Sequence, residues 1–250
     1  MLRLILPLLA FAAAFVSWHI AIATHPGTLV PSPVAALRGI VELAEKGLLF
    51  RYVVASLFRV TWGYLAALML AIPLGVLLGM WHRGERALHP ILQVLRPISP
   101  LAWIPIAILW FGVGDLAAVF LIFLASFLPM TLTTIHAVHN IEGVHLAAGR
   151  NFGLTNRELL RSVILPAILP QLIIGMRITL GIAWLVVVAA EMIAVNSGLG
   201  FLIIDARNAG NRYDLVVAGM ILIGAIGVAL DFLMRRLESL PSVRWGYATE

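Results

Sequence analysis

The chain has 250 residues, 62% of them hydrophobic and 12% charged, with a formal net charge of +5 and a mean hydropathy of +1.02. That composition excludes an ordinary soluble domain and describes an all-α polytopic membrane protein, residues 1–250 forming one integral domain. No cysteine is present, so disulfides, thiolate metal sites and thiol nucleophiles are excluded, and the basic residues are too few and dispersed to engage nucleic acid.

Six spans are predicted, approximately Leu4 to Ala23, Val53 to Met80, Pro97 to Phe111, Leu116 to Ile135, Leu169 to Ile193 and Leu215 to Met234. Most approach the ~20 residues that a crossing helix needs. Arg3 before the first apolar run and Ala21-Ile-Ala23 at its end also fit a signal peptide. The run is longer than a usual signal core, interrupted only by His19, so a span is expected. Pro33 to Phe50 reads as an interfacial helix with Leu37, Ile40, Val41 and Ala44 on one side and Arg38, Glu42 and Glu45 elsewhere. In the second span Gly75 and Gly79 form a GxxxG pair, and Gly224 and Gly227 thin the last span, both weak signals for close helix packing.

Pro97, Pro100 and Pro105 make the third span irregular, and it is expected to pack inside the bundle rather than face lipid. The fourth ends in His136 and His139, a spacing that metals use, but only His145 joins them, so a solvated helix end is expected and no metal site. His82 and His89 flank another short loop and read the same way.

Between the fourth and fifth spans runs the polar stretch Gly149 to Pro166. Arg150, Arg157, Glu158 and Arg161 do not lie in hydrocarbon cheaply, so this loop faces water. Its pattern is two short helical pieces hinged at Gly153. With the N-terminus inside, Arg3, Arg83, Arg86, Arg150, Arg157, Arg161, Arg235, Arg236 and Arg244 are cytoplasmic, while Arg38, Lys46, Arg51, Arg207 and Arg212 are outside. The positive-inside rule therefore places both termini and the loop in the cytoplasm.

Two ionisable residues lie at one depth: Arg59 about six residues into the second span and Glu191 about five before the fifth reaches the same side, at ~1.5 Å per residue. An ion pair between them is expected, within or between protomers. Along the fifth span Arg177, Gly181, Trp184, Val188 and Glu191 share one helix face. Such a stripe suits either the wall of a translocation path or a packing seam whose charges neighbouring helices satisfy.

The chain lacks catalytic machinery. Its only lysine, Lys46, precedes Gly47, so no phosphate-binding loop can be written. Asn196-Ser-Gly-Leu-Gly200 has no nucleophile-elbow spacing and reads as a turn. Glu191 and Asp231 are carboxylates inside spans, but on different helices.

These residues resemble the permease subunit of bacterial ABC importers, in the branch for aliphatic sulfonates, taurine and nitrate. The likeness rests on Pro31-Ser-Pro33, Ser56-Leu-Phe-Arg-Val60, Leu95-Arg-Pro-Ile98, Leu101-Ala-Trp-Ile-Pro105, Leu109-Trp-Phe-Gly112 and Gly175-Met-Arg-Ile178 leading to Ala189-Ala-Glu-Met192. Sulfonate permeases are the nearest likeness, through Ala194-Val-Asn-Ser-Gly-Leu-Gly200, Asp205-Ala-Arg207 and Arg244-Trp245. The family's cytoplasmic signature, Glu-Ala-Ala, three residues, glycine, nine residues, then hydrophobic-x-Leu-Pro, is matched by Gly153, Val163, Leu165 and Pro166. Ala147 stands at the acidic position, Ala148 matches, Gly149 replaces the second alanine, Arg150 fits a position often basic, and Leu154 follows the glycine.

The resemblance implies the type I importer permease fold with six transmembrane helices, and a coupling loop at about 137–166 that docks into a cytoplasmic ATPase. It also implies a second copy of the chain, two ATPase subunits carrying ATP and Mg, a periplasmic or lipid-anchored substrate-binding protein, and residence among lipids of the inner membrane. No cofactor is expected on this chain itself. Taurine, nitrate or another small organic substrate is the alternative to a sulfonate; a membrane enzyme and a non-transporting assembly factor are the competing classes.

Overall fold

The computed structural model describes residues 2–24 and 30–238; Arg244, Trp245 and the side chain of Arg3 lie outside the described part. Among the described residues every regular element is helical. Helix α1 spans Leu2–Thr24 and α2 Pro33–Glu45, the latter capped by Ser32, whose hydroxyl accepts from the Ala35 N–H, with Pro33 in the first turn. A turn through Gly47, φ +69, leads into α3, Leu48–Met80. Then follow α4 (His82–Leu95), a 3₁₀ turn over Pro100–Trp103, α5 (Ile104–Phe111) and α6 (Asp115–His139). The chain continues through α7 (Gly143–Asn151), α8 (Asn156–Leu159), a π turn over Leu160–Ile164, α9 (Leu165–Ala194), α10 (Leu199–Asn208) and α11 (Tyr213–Glu238).

Four stretches are long and apolar enough to cross a membrane: α3, α6, the run Asn156–Ala194 and α11. The pair of α4 with the 3₁₀ turn and α5, bent by 85°, makes a fifth if taken as one span. Helix α1, apolar over Ala12–Thr24, occupies the place of the first predicted span.

The centre of the bundle is the contact of α3 with α6, and its physical basis is the absence of side chains. A Cβ placed on Gly63 would lie 2.7 Å from the Val119 carbonyl, one on Gly75 2.5 Å from Thr134 Cβ, and one on Gly79 2.7 Å from Val138 Cβ. The same four-residue register holds Ala67 and Ala71, both fully buried. The pair Gly75 and Gly79 is thus part of a ladder of small residues that lets two backbones approach, the arrangement that drives helix association where lipid is as apolar as leucine.

Four expectations are corrected. The buried side of α2 is Pro33, Ala36, Gly39 and Leu43, whereas Leu37 and Val41 are exposed and only Ile40 of the expected face is partly covered. Small residues win that face because α11 comes close: a Cβ on Gly39 would meet the Asp214 carbonyl at 3.2 Å and Ala218 Cβ at 3.3 Å. Residues 48–50 belong to α3, not to the short helix. The third span is irregular but two-sided: Ile104 and Ala107 are buried, while Leu109, Trp110 and Phe111 are exposed. Finally, the second helical piece of the polar loop is not separate, since α8 runs through the π turn into α9. Pro166 has no N–H to offer the Ser162 carbonyl and its ring crowds that position, and the wide π turn just before it absorbs the misfit.

At one end of the bundle Glu42 joins α2 to the start of α11. Arg212 Nη2 lies 2.5 Å from Glu42 Oε2 and its Nε 2.9 Å from Asp214 Oδ1, and Lys46 Nζ lies 2.5 Å from Glu42 Oε1. The Arg212 guanidinium, helped by Lys46, holds the Glu42 carboxyl down to about 2. A carboxyl depressed in the folded state stabilises above its unfolded value and loses that contribution as pH falls through the folded value. The thermal stability advantage of the wild type over Glu42→Gln should therefore be constant above about pH 4.5 and shrink as pH falls toward about 2; a gap independent of pH would refute the clasp. For the ladder, Gly75→Ala should cost ~1–3 kcal/mol by overpacking, whereas Gly224→Ala, with nothing within 4 Å of an added Cβ, should be close to neutral. Equal melting temperatures for the two variants in detergent would contradict the ladder.

Candidate functional site

The polar loop is built as a rigid knuckle. Helix α7 ends in a Schellman turn: the Leu154 N–H donates to the Gly149 carbonyl and the Gly153 N–H to the Arg150 carbonyl. Gly153 has φ +77, so the glycine is required by the left-handed turn itself. Helix α8 opens with a capping box, Thr155 Oγ1 accepting from the Glu158 N–H and Glu158 Oε2 accepting from the Thr155 N–H at 2.8 Å. That backbone N–H holds the Glu158 carboxyl below its ordinary range.

The departure at Gly149 has a packing cause, because a Cβ there would lie 2.7 Å from Leu159 Cδ1, and Leu159 is buried. Leu159, Ile164 and Ile168 join Ala71, Val76, Met130, Ala137 and Val138 in one hydrophobic cluster, with Leu146 and Val163 against it. The knuckle is thereby fastened to α3, α6 and α9 together. Its outward side carries Ala147, Ala148, Arg150, Arg157 and Arg161, with Leu165 and Pro166 exposed at the root of α9 and Leu154 half-buried. Two apolar side chains also stand in the open, Val144 at 64% and Phe152 at 87% exposure. Sequence reasoning missed both, although an aromatic residue inside a polar loop was a readable signal.

Arg59 and Glu191 meet inside the protomer, Arg59 Nη1 to Glu191 Oε1 at 2.7 Å, with side chains 2% and 0% exposed. The remaining Arg59 donors reach the Ser197 carbonyl at 2.8 Å, Ser197 Oγ at 2.5 Å and Asp115 Oδ1 at 2.8 Å. Glu191 Oε2 accepts from Ser56 Oγ and from the Gly200 N–H, each at 2.9 Å, and Ser56 Oγ accepts from the Leu199 N–H. The turn at Asn196-Ser-Gly-Leu-Gly200 is the cradle of this network. A Cβ on Gly198, whose φ is +104, would fall on the Glu191 carboxylate, and one on Gly200 would fall on the Val188 carbonyl. In the first turn of α10 the Gly200 N–H thus meets the carboxylate directly and the Leu199 N–H meets it through the Ser56 hydroxyl, a favourable use of a helix start.

The fifth-span stripe turns inward. Arg177 Nε lies 2.6 Å from Asp231 Oδ1 and its Nη1 3.3 Å from Glu238 Oε1, both on α11. Trp184 Nε1 donates to the Ile223 carbonyl at 3.0 Å and its ring lies 3.2 Å from where a Gly227 Cβ would stand. With Glu191 held as above, three members of the stripe satisfy neighbouring helices, which is the packing-seam geometry; Gly181 alone is exposed, with nothing within 4 Å of an added Cβ.

A cavity of about 490 Å³ opens between α4, the 3₁₀ turn and α6. Its polar lining includes Glu85, His89, Gln93, Arg96 and His136, and its apolar wall Trp103, Phe123 and Phe127. The helix-end histidines are also not idle. His136 does not pair with His139; instead His139 Nε2 lies 3.3 Å from Glu85 Oε2, and His82 Nδ1 lies 3.6 Å from the same oxygen.

Residues 71–242 match the family model described as "Binding-protein-dependent transport system inner membrane component". The chain is 35% identical over 192 residues to the taurine transport system permease protein TauC of Escherichia coli, covering 76% of this chain and 69% of that one. It is 35% identical over 211 residues to a putative aliphatic sulfonates transport permease, SsuC, of Bacillus subtilis, at 84% and 76% coverage. The nitrate import permease NrtB of Synechocystis is 34% identical over 248 residues, at 95% and 89%. Among solved structures, an inward-facing form of the MetNI methionine ABC transporter superposes with a TM-score of 0.69 at 21% identity, over 80% of this chain and 97% of that chain. The chain belongs to the binding-protein-dependent transport family and is an ABC importer permease with the fold of that type I assembly.

The buried pair generates a double-mutant test. Removing one partner leaves an unpaired buried charge, so Arg59→Met or Glu191→Leu alone should cost ~3–5 kcal/mol, and the double variant should cost less than the sum. Additive losses of thermal stability in detergent would show that the two charges do not support each other.

Proposed function

We propose that this permease moves a small organic anion, an aliphatic sulfonate first, inward across a bacterial inner membrane, with both termini and the α7 knuckle in the cytoplasm. Two cytoplasmic ATPases that bind ATP and Mg drive it, and a periplasmic or lipid-anchored binding protein delivers the anion. This subunit itself carries out no ATP chemistry. The exposed side of α5, with Leu109 81% and Trp110 60% exposed, is assigned to contact with a second copy of the chain.

The observation that carries the reading is Phe152. An aromatic side chain 87% exposed, at the C-cap of α7 in a loop fastened to three membrane helices through Leu159 and Ile164, makes an anchor for a pocket on a soluble partner, since such anchors dominate interface energetics. Leu159 and Ile164, which follow Phe152 in the chain, lie in the cluster that holds the loop to α9. The substrate preference rests on the cavity beside α4. Arg96 is suited to meet an anionic head, and the Trp103, Phe123 and Phe127 wall suits an alkyl tail, which nitrate does not have. Gly181, the open member of the stripe, is assigned to the translocation route; Arg59, Arg177, Trp184 and Glu191 act as the frame beside it.

Phe152→Ala leaves the backbone unstrained, so it should preserve insertion and thermal stability while lowering ATPase co-purification and sulfonate uptake at least tenfold. Gly153→Leu, placed where φ is +77, should likewise abolish uptake while the spans still insert. Normal uptake by both variants would sink the docking assignment. In proteoliposomes, stimulation of ATP hydrolysis by nitrate-loaded but not sulfonate-loaded binding protein would overturn the substrate class alone. For the route, a water-soluble thiol reagent should label Gly181→Cys and spare Trp184→Cys in this cysteine-free chain.

A further inference from the structure

The geometry points to a divalent transition-metal site formed by His82 and Glu85 on the first turn of α4 and His139 on the last turn of α6. One ligand atom from each of the three lies within 4.8 Å of the others. Glu85 Oε2 is 3.3 Å from His139 Nε2 and 3.6 Å from His82 Nδ1. In a tetrahedral zinc-like centre with metal–ligand bonds of about 2.0–2.1 Å, neighbouring ligand atoms stand about 3.3 Å apart. One edge of the triangle already has that length and the second is close to it. His82, with a side chain 71% exposed, is free to swing by the small amount the third edge requires.

The chemistry of the donor set agrees with the geometry. Two imidazoles and one carboxylate are borderline donors that suit zinc, cobalt and nickel over magnesium or calcium, which prefer all-oxygen shells. Glu85 is only 16% exposed, so its charge faces the two rings more than bulk water, and the open side of the trio leaves a water to complete the shell. The rings of His82 and His139 meet edge to face with centroids 5.9 Å apart, which directs their nitrogens toward the common carboxylate instead of stacking them away. Bound there, the ion joins α4 to α6 immediately ahead of the segment that leads into α7, next to Ala137 and Val138 of the Leu159 cluster, so it stiffens the base of the knuckle. Glu85 also lines the cavity beside α4, so the site borders the proposed substrate cavity, and a metal titration reads it without substrate or transport.

The test is cobalt titration of the purified full chain in detergent, with any affinity tag removed. A single equivalent should develop the visible bands of tetrahedral cobalt, and zinc should bleach them. Glu85→Gln and His139→Asn should each weaken binding at least tenfold. His82→Asn changes an exposed side chain and keeps the fold, so it should do the same without lowering the apo melting temperature. His145→Asn is the control: its Nε2 lies 3.8 Å from Glu142 Oε2 with no third ligand among the described residues, and the bands should persist. Absence of tetrahedral bands in the wild type, or bands that survive in the His82→Asn, His139→Asn double variant, overturns the site and leaves the trio a hydrogen-bonded clasp.

Discussion

A guanidinium sealed in a membrane protein must find all its partners nearby, and Arg59 does. Its cost in an apolar surrounding is a few kcal/mol even on lenient insertion scales, so the fold is arranged to complete its shell. Helix α3 supplies the charge, α9 the answering Glu191, the α9–α10 turn the Ser197 carbonyl and hydroxyl, and α6 the more exposed Asp115. Ser56, one turn before Arg59, closes the far side of the carboxylate. Four elements are thereby held at one level by groups that no single helix could satisfy. The glycines of the following turn exist to let Glu191 in: side chains at Gly198 and Gly200 would occupy its space and that of the Val188 carbonyl.

Below that level the bundle is held by shape. The ladder on α3 brings α6 within backbone contact distance, and a second hydrophobic cluster takes over toward α8 and the π turn. Movement of the knuckle therefore has few ways to dissipate. Tight interiors are bistable rather than continuously deformable, so a displacement of α7 favours rigid rotation of α3, α6 and α9 together over bending of any one of them.

The sequence made part of this legible. The meeting of Arg59 and Glu191 followed from counting residues, because the rise of a helix is fixed and both spans had to cross the same layer. Asp115, Ser56 and Ser197 were not recoverable that way, since they reach Arg59 from helix ends and a turn whose approach is decided by tertiary packing. The face of α2 was misjudged for a different reason. Hydropathy favours large apolar residues such as Leu37 and Val41, whereas close helix contact favours small ones, and Ala36 and Gly39 took the inner side. The fifth-span stripe was real as a stripe, but periodicity specifies a face without naming what lies opposite. His82 and Glu85 share a readable helical spacing; their proximity to His139, more than fifty residues away, does not show in one dimension.

Helix α11 presents little of itself to the interior of the chain, with 11% of its apolar window buried, yet it is pinned at three depths. Arg212 ties its start to Glu42, Trp184 hydrogen-bonds its Ile223 carbonyl midway, and Arg177 grips Asp231 near its end. Sliding the helix by one turn would break all three at once, and rotating it would break at least the last two. The last helix is consequently keyed to α9 at two levels and to α2 at a third, so a rotation of α9 would carry with it the broad apolar surface that α11 turns away from the bundle.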